Sequence, residues 1–201
     1  MSNGIRCPAW AWLFVLVLLL GAAPSRAEAP VERLGVPGPL RLDGQTFHFA
    51  WSSHPFPHFY KQEYLPEGQA LPGYDQMLMI DVLLGEAGPR ELLGAKLEEL
   101  EARKAADPLV NYDWLAKDDG SAYLLDFVLS GRTASGELIV EWNAYRYEAL
   151  PGGAVMLGIS RRGYGDEGVR DFLAEELKPR RQAWISELAG LEMPPIALAA
   201  P

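Results

Sequence analysis

Three alternating segments in the second half of the chain constrain its fold more than any other sequence feature. Residues 122–130, 137–148 and 154–162 carry apolar side chains with the two-residue period of half-buried strands. A loop at 131–136 and a Pro-Gly-Gly turn at 151–153 separate these segments. Because such short connections join neighbouring antiparallel strands, the three segments are predicted to form a meander.

The preceding part of the chain predicts three more strands and one helix. The strands are expected at 40–51, 59–65 and 77–84, where alternating or continuous apolar residues lie between turn residues. The helix is expected to begin at Gly88-Pro89, because proline suits the first helical position, and to end before Pro108.

A second helix is predicted at 167–188, either kinked or divided into two abutting helices at Pro179, because proline removes one helical hydrogen bond. The order β-β-β-α-β-β-β-α indicates an α+β fold, with a six-stranded, largely antiparallel sheet and two helices packed on one face. An extended leader is expected at 28–39 and a disordered tail at 191–201. These boundaries leave one domain at 40–190.

This element order is similar to that of the PsbP/Mog1-like group over most of the predicted mature chain. The resemblance implies a small sheet-and-helix domain that acts as a binding or accessory module, and it assigns no functional residue. The segment YKQEYLP at 60–66 also resembles uncharacterised exported bacterial proteins. That second resemblance implies no activity.

The first 27 residues have the pattern of a secretory signal peptide. Arg6 precedes an apolar run at 9–23, which is shorter than the roughly 20 residues needed to span a bilayer. A small-x-small cleavage signal follows and ends at Ala27. The chain is therefore expected to be exported to the periplasm or secreted, without a membrane anchor.

Cleavage would also limit the chemistry of the mature protein. It would remove the sole cysteine, Cys7, together with Arg6 and Arg26, so that the net charge would change from −9 to −11. Loss of the cysteine excludes thiol catalysis and thiolate metal sites, and the acidity disfavours nucleic-acid binding. No cofactor is predicted.

All three histidines, His48, His54 and His58, lie in one aromatic segment. Neutral imidazoles bind zinc or copper, but a strand and two prolines give these three no convergent spacing, so a metal site is only the weaker interpretation. Aromatic side chains with polar tips favour recognition surfaces, although packing at the edge of the core is an equal alternative. The predicted ligand or partner surface comprises His54, Phe56, His58, Tyr60, Lys61, Glu63 and Tyr64.

A row of charges is predicted across the meander. Pairing Ser130 with Glu137 places Asp126 opposite Glu141, and the register of the next strand places Arg162 opposite Glu141. Two close carboxylates are suited to acid-base chemistry, but a neighbouring arginine favours the charged form of both. An exposed charge ladder is therefore the favoured interpretation.

Two other sequence features are candidate anion sites. Residues 163–168 match GxGxxG, but Asp166 and Glu167 would repel a pyrophosphate, so the glycines are assigned to a tight turn. Basic residues also cluster in the C-terminal third, and they are interpreted either as an anion- or partner-binding patch or as the solvent-exposed face of a helix. They are Arg161, Arg162, Lys178, Arg180 and Arg181.

The sequence favours a function in binding over a function in catalysis. The expectation is an exported, non-catalytic binding or accessory domain of the cell envelope, with a small ligand or an envelope protein as its partner. One alternative is an envelope hydrolase that depends on a metal or on carboxylates. Another is an immunity-type protein that neutralises a secreted toxin.

Overall fold

Eight strands form one antiparallel sheet that curves as a half-barrel. The computed structural model describes residues 29–198. The strands are β1 Leu40–Leu42, β2 Gln45–Phe56, β3 Phe59–Pro66, β4 Gln76–Leu84, β5 Asn111–Ala116, β6 Ala122–Arg132, β7 Leu138–Leu150 and β8 Gly153–Tyr164. Their order across the sheet is β1-β2-β3-β4-β8-β7-β6-β5.

The sequence correctly indicates an α+β fold, but the predicted six-stranded sheet is wrong. Both strands that it omits lie at the edges of the sheet. The segment predicted as one strand at 40–51 contains a tight hairpin turn, because Asp43 and Gly44 have positive φ angles of 52° and 70°. Strand β5 is almost entirely exposed, and its alternation of polar and aromatic residues is confined to the four residues 111–114.

The first helix, α1, spans Pro89–Arg103. It begins at the predicted proline, and the Gly88 amide donates a hydrogen bond of 3.0 Å to Glu91 Oε2. The C-terminal helix is continuous and comprises α2 Gly165–Asp171, a π-helical segment Phe172–Leu177 and α3 Lys178–Gly190. The π-helical segment precedes Pro179, which supplies no amide hydrogen, and shifts the hydrogen-bonding pattern there.

The helices lie on opposite faces of the sheet, whereas the sequence predicted both on one face. On the α1 face, Leu100 packs in a core that includes Met156 of β8. On the α3 face, Trp184 and Leu188 pack in a core that includes Leu157 of the same strand. Because consecutive strand residues point to opposite faces, β8 contributes to both cores.

The pairing of β6 with β7 also differs from the prediction. Ser130 lies opposite Val140 instead of Glu137, because the strands extend to an Arg132–Leu138 pair and the loop is shorter than predicted. A shift by an odd number of residues reverses the face on which a strand's side chains lie. The odd-numbered residues of β6 therefore lie on the α1 face, whereas the even-numbered core residues of β7 lie on the α3 face.

The segments at both ends of the described chain pack against the α3 face. The Gln62 side chain accepts hydrogen bonds from the amides of Arg33 and Leu34, at 2.7 and 3.1 Å. The Ala197 amide donates to the Leu34 carbonyl at 2.8 Å. Residues 1–27, the predicted signal peptide, lie outside the described residues. None of the helices described within 29–198 has the length and apolarity needed to cross a membrane.

Candidate functional site

A cavity of about 330 Å³ lies between α1 and the α1 face of the sheet. It forms because α1 packs over β6, β7 and β8, while β3 and β4 continue beside the helix. Most of its lining is apolar and comes from Phe59, Met79, Leu83, Leu92, Ala95 and Met156. Lys61, Asp81, Lys96, Glu99, Tyr145 and Tyr147 complete the wall.

Asp81 is the polar centre of the sheet side of this cavity. It lies directly opposite Lys61 in the β3–β4 pair, and Lys61 Nζ is 3.1 Å from Asp81 Oδ2. The other carboxylate oxygen, Oδ1, is buried and has no hydrogen-bond partner among the described residues. Burial raises the pKa of Asp81, and the Lys61 ammonium only partly opposes this effect.

The helix side of the cavity carries a second ion pair. Lys96 Nζ is 2.8 Å from Glu99 Oε1, and it also lies 5.8 Å from the ring centroid of Tyr145. Burial raises the pKa of Tyr145 and Tyr147 well above the ordinary value for a phenol. Both phenols therefore remain protonated at physiological pH and are available as hydrogen-bond donors.

Gly158 lies under the cavity, between Met79 on one neighbouring strand and Tyr145 on the other. A Cβ atom at this position would be 2.8 Å from Met79 Cγ and 2.9 Å from Tyr145 Cδ1. Glycine inside a strand often marks a close approach of other groups to the backbone. Here its missing side chain allows the methionine and tyrosine to pack closely over β8.

Part of the predicted recognition surface borders this cavity. Lys61 lines it, while Glu63 lies on the same strand face, and burial raises the pKa of the Glu63 carboxyl. Phe56 is 58% exposed and pairs with the cavity residue Phe59 at the end of the β2–β3 hairpin. The hairpin end therefore borders the cavity through Phe59.

The other predicted surface residues have different environments. His54 stacks on Tyr60 with 4.1 Å between ring centroids, and Phe56 stacks on His58 at 5.9 Å. Tyr64 is fully buried, and its hydroxyl donates a 2.6 Å hydrogen bond to the Val36 carbonyl. Tyr64 is therefore a core residue and does not belong to the predicted surface.

The three histidines do not form a metal site in the part of the chain that the structure describes. His48 is exposed on β2 opposite Leu65, whereas His54 and His58 lie near the far end of the hairpin. Within residues 29–198, no group of three His, Cys, Asp or Glu side chains is arranged to hold a metal ion.

The predicted row of three charges does not form. Glu141 does lie opposite Arg162, and these two side chains form an ion pair on the α1 face. Asp126, however, lies opposite Ala144 on the α3 face, where it accepts a hydrogen bond from Trp142 Nε1 at 3.2 Å. The three-residue error in register moves Asp126 to the opposite side of the sheet.

The basic residues of the C-terminal third are largely paired with acids and do not form an open anion patch. Asp43, which the sequence analysis missed, accepts hydrogen bonds from Arg161 at 2.8 Å and from Arg180 at 2.7 Å. Arg162 pairs with Glu141 and Arg181 with Asp126, while Lys178 is exposed at the start of α3.

Two of the three glycines of the GxGxxG motif have structural roles. A Cβ atom on Gly163 would lie 2.7 Å from Phe172 Cβ and 2.9 Å from the Gly168 carbonyl oxygen. Gly165 has a φ of +66°, a conformation that side-chain-bearing residues rarely adopt. These contacts allow α2 to begin directly after β8.

Comparison with known proteins gives one match. A family model, for an uncharacterised family, matches residues 34–193, a range that contains every strand and helix of the fold. No curated protein and no solved structure matches the chain. The comparisons give no support to a resemblance to the PsbP/Mog1-like group.

Proposed function

Because the chain belongs to the uncharacterised family that matches residues 34–193, we propose its function from its own structure: an exported, non-catalytic binding domain of the cell envelope. Its ligand is a small molecule held in the cavity between α1 and β3–β4. The cavity volume of about 330 Å³ lies at the lower end of the range of small-molecule sites.

The observation that carries this proposal is the Lys61–Asp81 ion pair in the cavity wall, whose charged atoms are 3.1 Å apart. Asp81 also lines a cavity with mostly apolar walls. A few polar groups that converge in an otherwise apolar pocket are typical of ligand sites.

The proposed site is tested by filling the cavity from its helix side. Ala95 lines the cavity and is exposed, so Ala95→Trp adds a large side chain without disrupting a core. Ala102 is exposed on the same helix but does not line the cavity, and Ala102→Trp is the matched control. The purified proteins are incubated with an organic extract of the cell envelope and examined by native mass spectrometry.

A small-molecule adduct is expected on the wild type and on Ala102→Trp, with loss of the adduct in Ala95→Trp. An adduct of equal abundance on all three proteins, or on none, contradicts the proposal. The export component is tested separately by N-terminal sequencing of the protein from its native host. It is expected to begin at Glu28, and a protein that begins at Met1 contradicts export.

A further inference from the structure

Strand β5 forms the longer of the two open edges of the sheet. Within residues 29–198, β6 is the only strand that pairs with it. Five of its six residues are exposed, whereas β1 at the opposite edge has three residues in all. The exposed side chains include Trp114 at 46% and Leu115 at 58%. An edge strand that is exposed, partly apolar and free of proline is suited to pair with another strand.

The backbone groups of β5 that face outward follow from its pairing with β6. The Lys117 amide donates a 3.0 Å hydrogen bond to the Ala122 carbonyl, and the register is continuous along the strand. Because an antiparallel ladder alternates, the odd-numbered residues direct their amides and carbonyls toward β6 and the even-numbered residues direct theirs outward. In agreement, the Trp114 amide donates to the side chain of Asp113 at 2.8 Å.

This edge is complementary to a second copy of itself. A two-fold axis through Leu115 places that residue opposite its own copy in an antiparallel pair. The outward backbone groups of Trp114 then lie opposite those of Ala116, as a ladder requires. Asp113 lies opposite Lys117 of the second copy, so opposite charges are paired at both symmetry-related contacts.

The side chains of these pairs also lie on matching faces. Leu115 is opposite Leu124 of β6, a core residue of the α3 face, so Asp113 and Lys117 lie on the α3 face as well. They belong to non-hydrogen-bonded pairs of the new ladder, in which side chains are closest. Trp114 lies on the α1 face, where the small side chain of Ala116 leaves room for it.

Other two-fold registers are less favourable. An axis through Asp113 places two carboxylates opposite each other, and like charges in that position destabilise a strand pair. An axis through Trp114 places Asp113 opposite Leu115 of the second copy. An axis through Ala116 places Leu115 opposite Lys117. Only the axis through Leu115 pairs an apolar side chain with an apolar one and an acid with a base.

We propose that β5 is a dimerisation edge, at which β5 of a second copy pairs antiparallel about Leu115 and joins the two sheets into one. Pairing exchanges the bond between the Trp114 amide and Asp113 for a bond to the Ala116 carbonyl of the second copy, and Asp113 then pairs with Lys117. The interface is independent of the proposed ligand site, because the cavity is lined by α1, β3, β4, β7 and β8.

Charge reversal tests this pairing. The dimer dissociation constant of the purified protein is measured by analytical ultracentrifugation at micromolar concentrations, where the wild type is expected to dimerise. Asp113→Lys and Lys117→Asp each place like charges opposite each other, and each is expected to weaken the dimer at least about tenfold. The combined variant restores opposite charges in exchanged positions, and its dissociation constant should return to within about threefold of the wild type. Lys178→Asp, the same charge change at an exposed position of α3, is the control and should have no effect.

Cysteine cross-linking tests the register. The Cα atoms of a non-hydrogen-bonded pair are about 4.5 Å apart, which suits a disulfide. With oxidised glutathione, Leu115→Cys is therefore expected to form a covalent dimer. Ala116→Cys is the matched control, because its two copies are offset along the strands and too far apart for a disulfide. Both variants also carry Cys7→Ser, so that the native cysteine cannot contribute.

The results that would overturn the proposal are distinct. A wild type that stays monomeric throughout the concentration range shows that the edge does not pair. A dimer that neither charge reversal weakens has its interface elsewhere. A combined variant as weak as the single ones, or cross-linking of Ala116→Cys in preference to Leu115→Cys, contradicts the register about Leu115.

Discussion

Among the turn residues of this protein, Asp43 is expected to be the one whose substitution lowers the free energy of unfolding most. Its carboxylate accepts hydrogen bonds from Arg161 Nη2 at 2.8 Å, Trp184 Nε1 at 2.9 Å and Arg180 Nη2 at 2.7 Å. One side chain in the β1–β2 turn thus connects the sheet edge to β8 and to α3. Removing it should loosen the packing of the C-terminal helix on the sheet.

The size of the effect follows from the burial of its partners. The Arg161 side chain is only 4% exposed, and leaving such a charge without its partner costs about 3–5 kcal/mol. Arg180 is 49% exposed, so its pair with Asp43 contributes at most about 1 kcal/mol. Asp43 has a φ of 52°, which costs alanine about 1 kcal/mol relative to aspartate or asparagine.

Asp43→Ala is therefore expected to lower the free energy of unfolding by about 4–6 kcal/mol, a large part of a typical domain's stability. Asp43→Asn keeps the turn and a neutral acceptor, so a loss of about 1–3 kcal/mol is expected. Urea denaturation followed by tryptophan fluorescence measures both values. Asp118→Ala, in an exposed loop, is the control and should change stability by less than about 0.5 kcal/mol.

A loss below about 1 kcal/mol for Asp43→Ala would refute this reasoning, because Arg161 would then not depend on Asp43. A second comparison isolates the pair itself. Arg161→Met removes the buried charge, so adding Asp43→Ala to that variant should cost at least about 2 kcal/mol less than in the wild type. Equal costs in the two backgrounds would show that the ion pair is not responsible.

Three other substitutions give distinct signatures in the same urea assay. Burial raises the pKa of the Asp81 carboxyl, so the stability that the protonated carboxyl contributes is lost as the pH rises through its folded-state pKa. Asp81→Asn should therefore stabilise the protein at neutral pH and not below about pH 3. The pKa of Asp107 is lowered, because hydrogen bonds led by the Ser130 hydroxyl outweigh burial, and the stability that it contributes is lost as the pH falls through its folded-state pKa. Asp107→Asn should thus cost about 1–3 kcal/mol at neutral pH and little in acid, and the opposite pH trend for either aspartate would contradict its assigned environment. Gly158→Ala should cost about 1–3 kcal/mol at any pH because its Cβ crowds Tyr145, whereas a neutral effect would show that the cavity floor repacks freely.

The elements with strong periodicity could be predicted from the sequence, and the edge strands could not. Strands β6 to β8 and helix α1 have marked apolar patterns because they pack against one or both of the two cores. Strand β5 buries almost nothing, and its alternation of polar and aromatic residues is confined to four positions. The Asp43-Gly44 pair is a recognisable hairpin turn within the segment predicted as one strand, and its positive φ angles separate β1 from β2.

The candidate site was only partly predictable, because it depends on how two strands pair. Lys61 belongs to the segment singled out from its aromatic residues, and it does line the cavity. Asp81 was missed, although one acid within the apolar run MLMIDVLL at 77–84 is a readable sign of a special position. Its pairing with Lys61 depends on the β3–β4 register, which the intervening loop at 67–75 does not determine from sequence.

Asp43 and Asp126 differ from Asp81 in how fully their carboxylates are bonded. On the α3 face, Asp43 and Asp126 each bind both an arginine and a tryptophan, so these carboxylates hold the C-terminal helix against the sheet. On the α1 face, Asp81 has one ion-pair partner and one oxygen without a hydrogen bond. Because an incompletely bonded carboxylate destabilises the fold, stability alone does not account for Asp81.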